Sequence, residues 1–167
     1  MKGGPRYHVK PRRHREGRTD YRKRLKLLKS KRIRLVVRRS IKHTLVQFVE
    51  YNEKGDRVLV QAFTKDLAKQ YGWSYSTSTV PAAYLTGLLA GKKAKDNGVS
   101  EVILDIGRSK ITKGSKIFAV LQGVIDAGVS CPHDENMLPS SDRILGKHLK
   151  PELESTVIDI KNKILGG

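Results

Sequence analysis

The chain has 167 residues, a mean hydropathy of −0.47, a formal charge of +18 and a pI of about 10.2. This length allows one domain with a compact core, and a single cysteine excludes an internal disulfide framework. The longest apolar run, "VPAAYLTGLLAG", has 12 residues and is too short to cross a bilayer. No apolar run typical of a signal peptide is present near the N-terminus, so we expect a cytoplasmic protein.

Positive charge is concentrated at the N-terminal end. Residues 1–43 contain 18 of the 34 lysine and arginine residues but only two acids, Glu16 and Asp20. The other 124 positions are almost neutral, with 16 basic and 14 acidic side chains. Positive charge confined to one end of the chain indicates a surface that binds a dense polyanion. Nucleic acid is the first candidate.

The first 18 residues combine glycine, proline and basic residues, and Val9 is their only aliphatic residue after Met1. Such a segment cannot bury enough surface to offset its chain entropy, so we expect residues 1–18 to be disordered without a partner.

A helix is predicted from about Asp20 to Lys29. Thr19-Asp20 provides a start signal, and Tyr21, Leu25 and Leu28 form one apolar stripe that we expect to dock on the core. The rest of this helix is positive and lacks the acids that normally accompany a solvated charged face. This pattern favours a helix that presents its charge to a partner.

Three strands are predicted next. Residues from Ile33 alternate with period two, and "TLVQFVEY" from Thr44 and "RVLVQAF" from Arg57 flank the turn "NEKGD". These features predict an antiparallel meander. Apolar residues on both faces of the second strand predict a sheet covered on one side and partly on the other.

Helical patterns dominate the remaining chain. Thr64 is predicted to cap a helix that ends at Tyr71, and Pro81 to begin a helix that continues to Asn97 and stops at Gly98. The remaining predicted elements are a strand "EVILDI" from Glu101, a core helix at about 114–127, and a final helix marked by Leu153, Val157, Ile160 and Ile164. Within the 81–97 helix, Gly87 and Gly91 would let another backbone approach closely.

This order predicts an α/β fold: a mixed sheet with a three-stranded antiparallel meander followed by helix-strand-helix units. The similar segments "NGVS" and "AGVS", at Asn97 and Ala127, predict consecutive crossovers from helix to strand. We divide the chain into a basic N-terminal extension with a docking helix (1–30), an α/β core (31–130) and a C-terminal extension with a helix (131–167).

Enzyme signatures are mostly missing. The stretch "GRSKITKGSK" lacks the glycine spacing of a nucleotide-binding loop, and neither the histidines nor Cys131 have the paired spacing of a zinc site. We therefore expect no cofactor, no metal and no catalysis.

Asp105, at the end of the fourth strand, is the one carboxylate placed where α/β enzymes keep their chemistry. We interpret it as a structural aspartate that bonds a loop backbone. A metal-dependent nuclease is the alternative, although Asp126 and Asp134 are not obviously aimed at the same point. A basic adaptor for anionic membranes is a second alternative, but it needs a wider apolar face than the first helix offers.

Two basic clusters follow strand ends. "VVRRSIKH" leaves the first strand around a tight bend, and "GRSKITKGSK" leaves the fourth with further cations. Serine or glycine accompanies the charge in both, so backbone amides can approach phosphate oxygens. Aromatic rings interleaved with the cationic tail suit unstacked RNA bases, whereas no DNA recognition helix is visible. The predicted RNA-binding residues are Arg6, Tyr7, His8, Lys10, Arg12, Arg13, His14, Arg15, Arg18, Tyr21, Arg22, Lys26, Arg38, Arg39, Ser40, Lys42, His43, Arg108, Lys110, Lys113 and Lys116.

Six runs, in order and spacing, carry a resemblance to a known family: "GPRYHVKPRRHREGRTDYRKRLKLLKS", "RLVVRRSIKH", "VPAAYLTGLLAGKKA", "VILDIG", "KGSKIFAVLQGVIDAG" and "DRILGKHL". Over nearly its whole length the chain resembles the archaeal form of large-subunit ribosomal protein eighteen, which binds 5S rRNA. The resemblance implies a role without catalysis, in which 5S rRNA is bridged to the large-subunit (23S-type) rRNA in the central protuberance, beside the ribosomal protein large five. It also implies an α/β core shared with a small-subunit protein family.

Position by position, the bend formed by Arg38, Arg39, Ser40, Lys42 and His43 matches the RNA-contacting strand end of that family. The chain departs from the family at two points. Ile41 stands where asparagine is common, and Thr79-Val80 precede Pro81 where Asn-Thr is usual, although Thr79 can still cap the helix.

Overall fold

The computed structural model describes residues 4–166. The strands are β1 (Ile33–Arg39), β2 (Thr44–Glu50), β3 (Arg57–Phe63) and β4 (Val102–Asp105). The helices are α1 (Arg12–Arg15), α2 (Tyr21–Lys29), α3 (Thr64–Tyr71), α4 (Val80–Asp96), α5 (Lys116–Asp126), α6 (Ser141–Leu145) and α7 (Glu152–Gly166), with a 3-10 turn at Glu135–Met137. The predicted α/β fold is confirmed.

The four strands form one mixed sheet in the order β3-β2-β1-β4. β1 pairs antiparallel with β2 and parallel with β4, and β2 pairs antiparallel with β3. The predicted meander and the crossover into β4 are therefore confirmed. The second predicted crossover, after Ala127, was wrong in extent: it produces only an isolated parallel bridge between Glu101 and Ser130.

One face of the sheet forms the core with the helices. Leu35 and Val37 of β1 face the same way as Val46 and Phe48 of β2, and all four are fully buried. The opposite face buries Arg34, among other residues, while Val58 at its edge is half exposed. A sheet covered fully on one side and partly on the other is what the alternation predicted.

Helices α4 and α5 touch backbone to backbone. A Cβ added at Gly87 would stand 2.2 Å from the Val120 carbonyl oxygen, and one at Gly123 would stand 2.2 Å from the Tyr84 carbonyl oxygen. Gly91 lies against Val124 in the same way. Gly87 meets Val120 and, one turn later, Gly91 meets Val124, so the two helices run parallel with their N-termini at the same end. The close approach predicted at Gly87 and Gly91 is confirmed.

The final helix is part of the core. Leu153, Val157, Ile160 and Ile164 are all buried, and α7 packs against α4. Their spacing of three and four residues places them on one face of α7, as the sequence predicted.

Two local predictions were wrong. Leu25 is 56% exposed and Tyr21 40% exposed, and no residue of α2 is buried, so its apolar stripe does not dock on the core. Thr64 is the first residue of α3 rather than its cap: the Asp66 carboxylate accepts from the Phe63 N–H, and the Thr64 hydroxyl accepts from the Thr44 N–H. The short helix α1 lies within the segment predicted to be disordered, residues 1–3 of that segment lie outside the described part of the chain, and its disorder without a partner stays a prediction.

Candidate nucleic-acid interface

The two predicted basic clusters lie at one edge of the sheet. β1 and β4 are adjacent and parallel, so Arg38 and Arg39 at the end of β1 and the loop after Asp105 in β4 emerge together. Loop residue Gly107 lies against the Arg38 guanidinium. The topology therefore joins two clusters that are far apart in sequence.

Arg38 is fixed at this edge by Asp105. Its Nη2 donates to Asp105 Oδ1 at 3.1 Å, and its Nη1 donates to the carbonyl oxygens of Asp105 at 2.8 Å and Val37 at 3.0 Å. A Cβ at Gly107 would meet the Arg38 Cζ at 3.1 Å. The guanidinium is thus clamped between strand ends although its side chain remains 44% exposed.

A chain of alternating charges continues behind Arg38. Arg34, whose side chain is 3% exposed, donates from Nη1 to Asp105 Oδ2 at 3.2 Å and from Nη2 to Asp56 Oδ2 at 2.7 Å. Arg24 of α2 reaches the same Asp56 oxygen at 2.6 Å. The basic helix α2 is therefore attached to the domain by an ion pair and not by the apolar stripe that the sequence predicted.

Asp105 is a structural aspartate. Burial acts to raise the pKa of its carboxyl group, but the charge of Arg38, the Gly107 N–H at 2.9 Å and Arg34 outweigh burial and hold the pKa below its usual value. The predicted bond from this carboxylate to a loop backbone is confirmed by that Gly107 contact.

The nuclease alternative finds no carboxylate cluster. Asp126 accepts from the Tyr84 hydroxyl and from Gln122, and Asp134 accepts from the Asn136 N–H. Within residues 4–166, no group of three His, Cys, Asp or Glu side chains could hold a metal ion.

The bend between β1 and β2 is closed by its own serine. The Ser40 N–H and hydroxyl donate to the His43 carbonyl at 2.7 and 3.0 Å, and the His43 N–H donates to the Ser40 hydroxyl at 2.9 Å. Ile41 at the tip is 91% exposed. The bend thus presents the Lys42 side chain and an apolar tip to solvent.

Hydroxyl groups from the loop before α4 hold this tip. Thr77 donates to the Lys42 carbonyl at 2.8 Å, and Ser78 donates to the Ile41 carbonyl at 2.7 Å. The His43 ring lies 4.9 Å from the Phe63 ring, and its Nδ1 is 3.1 Å from the Thr77 hydroxyl. Backbone and ring are therefore fixed, and His43 is half-buried.

The N-terminal segment is held mainly by local contacts. Arg13 Nε donates to the Thr19 hydroxyl at 2.9 Å, and Glu16 pairs with Arg12 and Arg18 at 3.3 and 3.0 Å. A Cβ built at Gly17, whose φ is 67°, would stand 3.9 Å from the Arg108 Cζ. The N-terminal segment therefore passes beside the loop after β4, near the edge that carries the other two basic segments.

Most of the predicted RNA-binding residues are exposed; only His43 and Lys116 are half-buried. Lys116 Nζ donates to the carbonyl and hydroxyl oxygens of Ser78, both at 2.9 Å. Sequence reasoning missed Arg24, Arg34 and Asp56, which hold the surface together. The only signal for them is opposite charge, and nothing local pairs Arg24 or Arg34 with an aspartate 32 or 22 positions away.

Known proteins similar in sequence to this chain identify its family. The model of a family described as ribosomal large subunit proteins 60S L5 and 50S L18 matches residues 5–99 and 91–134. The chain belongs to this family. It is 55% identical over 144 residues to large ribosomal subunit protein uL18 of Korarchaeum cryptofilum, covering 86% of this chain and 73% of that protein. It is 50% identical over 155 residues to uL18 of Halobacterium salinarum, covering 93% of this chain and 84% of that protein.

Membership of the L18 family makes the chain a structural, rRNA-binding constituent of the large ribosomal subunit, of archaeal type and without catalytic activity. No helix in the described part of the chain is long and apolar enough to cross a membrane.

Proposed function

We propose that the chain binds 5S rRNA and attaches it to the large-subunit rRNA in the central protuberance, beside neighbouring proteins that include large five. The resemblance drawn from the sequence supports this assignment. The structural support is the surface on which residues 4–18, the β1–β2 bend and the loop after β4 converge.

Unpaired positive charge is the observation that carries the proposal. Among the predicted RNA-binding lysines and arginines, only Arg12, Arg18 and Arg38 form ion pairs within residues 4–166. The other cations on this surface have no carboxylate partner there, so phosphate oxygens can take that place. His14 and Tyr21, with ring centroids 6.2 Å apart, add exposed aromatic rings on which an unpaired base can stack.

The rigid bend favours a defined RNA site over diffuse attraction. Because the Ser40–His43 bonds and the Thr77 and Ser78 hydroxyls hold its backbone, Lys42 and Arg39 project from a fixed base. Less conformational entropy is then lost on binding than for a cation in a flexible tail.

The test is competition between RNAs at one fixed salt concentration, since counterion release makes affinity strongly salt-dependent. Labelled 5S rRNA is bound to the protein and challenged with excess unlabelled 5S rRNA or transfer RNA. We expect 5S rRNA to displace the label and transfer RNA to displace it poorly. Equal displacement would contradict recognition of 5S rRNA and leave only general affinity for polyanions.

A further inference from the structure

A pocket of about 370 Å³ opens between the N-terminal ends of α4 and α5. Its lining includes Thr79, Ser115 and Lys116 from the two helix starts, Arg39 from the end of β1, and Arg143 and His148 from the C-terminal segment. No carboxylate lines it. Of the residues that line this pocket, only Arg39 and Lys116 were predicted from the sequence to bind RNA.

The cations that line this pocket, Arg39, Lys116 and Arg143, have no carboxylate partner within residues 4–166. Neither Arg39 nor Arg143 forms an ion pair within residues 4–166, and Lys116 donates only to oxygens of Ser78. An ammonium group has three donors, so Lys116 keeps one N–H for a further acceptor. Desolvation and the nearby charge of Arg39 hold the pKa of Lys116 below its usual value, as expected where cations gather without an anion.

Two helix N-termini add to this field. Because α4 and α5 run parallel, the positive ends of both dipoles face the pocket. Thr79 caps α4 through the Ala82 N–H, but the Ser115 side chain makes no cap bond at the start of α5. Ser115 Oγ is instead buried without a hydrogen-bond partner among residues 4–166. Such an orphaned hydroxyl costs free energy unless a bound group satisfies it.

We propose that this pocket holds one phosphate group of a bound RNA strand. The phosphate oxygens accept from the guanidinium groups of Arg39 and Arg143, from Lys116 Nζ, and from the Ser115 hydroxyl at the start of α5. A helix N-terminus with a hydroxyl and converging cations is a well-founded site for such an anion. The assignment rests on the proposed RNA-binding function and extends it to the C-terminal segment.

The first test compares two variants that lose the same charge. Arg143→Gln removes a pocket cation, and Lys163→Gln removes an exposed cation from α7. At one fixed salt concentration we expect about a tenfold loss of 5S rRNA affinity for Arg143→Gln and less than about twofold for Lys163→Gln. Equal affinities of the two variants would overturn the pocket, while tight 5S rRNA binding by both would leave the proposed function intact.

The second test uses Ser115→Ala. Because Ser115 does not cap α5 and its buried hydroxyl is unsatisfied, Ser115→Ala should leave the Tm unchanged or raised while weakening 5S rRNA binding by about two- to tenfold. A Tm lower by roughly 2–4 °C, with RNA affinity unchanged, would show that Ser115 caps the helix in solution and would overturn its role as a phosphate donor.

The third test separates a free anion from an RNA phosphate. Inorganic phosphate added to the free protein should shift the backbone amide signals of Lys116, Ile117 and Phe118 saturably, and Arg143→Gln should abolish these shifts. An absence of saturable shifts in the wild-type protein would overturn the site. Shifts that depend on Arg143, together with unchanged RNA affinity of the variant, would assign the pocket to a small anion and overturn the RNA inference.

Discussion

Arg38 and Asp105 join the ends of two parallel strands through side chain and backbone at once: the guanidinium reaches both the Asp105 carboxylate and the Asp105 carbonyl oxygen. The same carboxylate accepts from the buried Arg34. The sheet edge that carries these exposed cations is therefore held together by the carboxylate of Asp105. Removing the Asp105 carboxylate should therefore lower the stability of the fold, and any loss of RNA binding should follow from that loss of stability.

Asp105→Ala should destabilise the protein by about 3 kcal/mol, because it leaves the buried Arg34 with Asp56 as its only carboxylate partner. Urea unfolding of the variant measures the loss. Asp96→Ala, which removes an exposed carboxylate near the end of α4, is the matched control and should change stability by less than about 0.5 kcal/mol. Similar midpoints for the two variants would contradict a structural role for Asp105.

The same carboxylate predicts acid sensitivity. The pKa of Asp105 in the folded protein lies below the ordinary value of 3.8, so its contribution to stability is present above pH 3.8 and is lost as pH falls through the lower folded value. Unfolding free energies measured from pH 6 down to about 2 should therefore decline more in the wild type than in Asp105→Asn, which has no such group to titrate. Parallel declines would show that other carboxylates account for the loss.

The bend should contribute more to RNA binding than its charge alone. Arg39→Ala combined with Lys42→Ala removes two cations from a fixed backbone, whereas Lys54→Ala combined with Lys163→Ala removes two exposed cations elsewhere. Charge-assisted bonds to phosphate are worth roughly 1.5–3 kcal/mol each, so the first pair should lose at least about a hundredfold in 5S rRNA affinity. The second pair should lose less than about tenfold.

Arg38 is left out of that pair because it holds the strand ends, and Lys161 is unsuitable as a control because its Nζ lies 5.7 Å from the centre of the Tyr84 ring. Equal losses in the two double variants, each shown to be folded, would refute the bend as a site without touching the proposed function.

Gly87→Ala should destabilise the protein although alanine is the better helix former by about 1 kcal/mol. The new Cβ would overlap the Val120 carbonyl oxygen, which is backbone and cannot rotate away. Overpacking of this kind costs typically about 1–3 kcal/mol, so the Tm should fall by several degrees. A raised Tm would mean that α4 and α5 separate more easily than their contact indicates.

The N-terminal segment should gain protection only with RNA. Residues 4–18 bury no side chain and their ion pairs are local, so their amide protons should exchange freely in the isolated protein. The strands from Ile33 to Phe63 should be protected in both states. Hydrogen exchange with and without 5S rRNA measures the difference, and a protected segment in the free protein would contradict its predicted disorder.

The periodicity of apolar residues and the residues that start or stop helices were enough to predict the strands and most helices. Both signals are local, as the alternation in β1 and the Gly98 stop of α4 show. The docking of α2 could not be predicted in the same way. The stripe of Tyr21, Leu25 and Leu28 identifies an apolar face but not whether any surface covers it. The actual attachment, through Arg24 and Asp56, depends on two residues brought together by the fold.

The candidate site, like the fold, could be predicted only in part from the sequence. Exposed cations next to strand ends were visible in the sequence, because a basic run beside glycine and serine is itself the signal. The roles proposed for Ser115 and Arg143 were not visible in the sequence, since the two residues come together only where the starts of α4 and α5 meet α6. Serine before a helix normally indicates a cap, but the Ser115 hydroxyl makes no cap bond to α5.

The contact between Gly87 and Gly123 fixes the spacing between α4 and α5. Side chains between two helices can change rotamer and let the helices slide, whereas two backbones in direct contact have no such freedom. The distance between the starts of α4 and α5, about two turns away from the contact, is then set by peptide geometry. The opening between Thr79 and Ser115 should accordingly keep the same width with or without RNA.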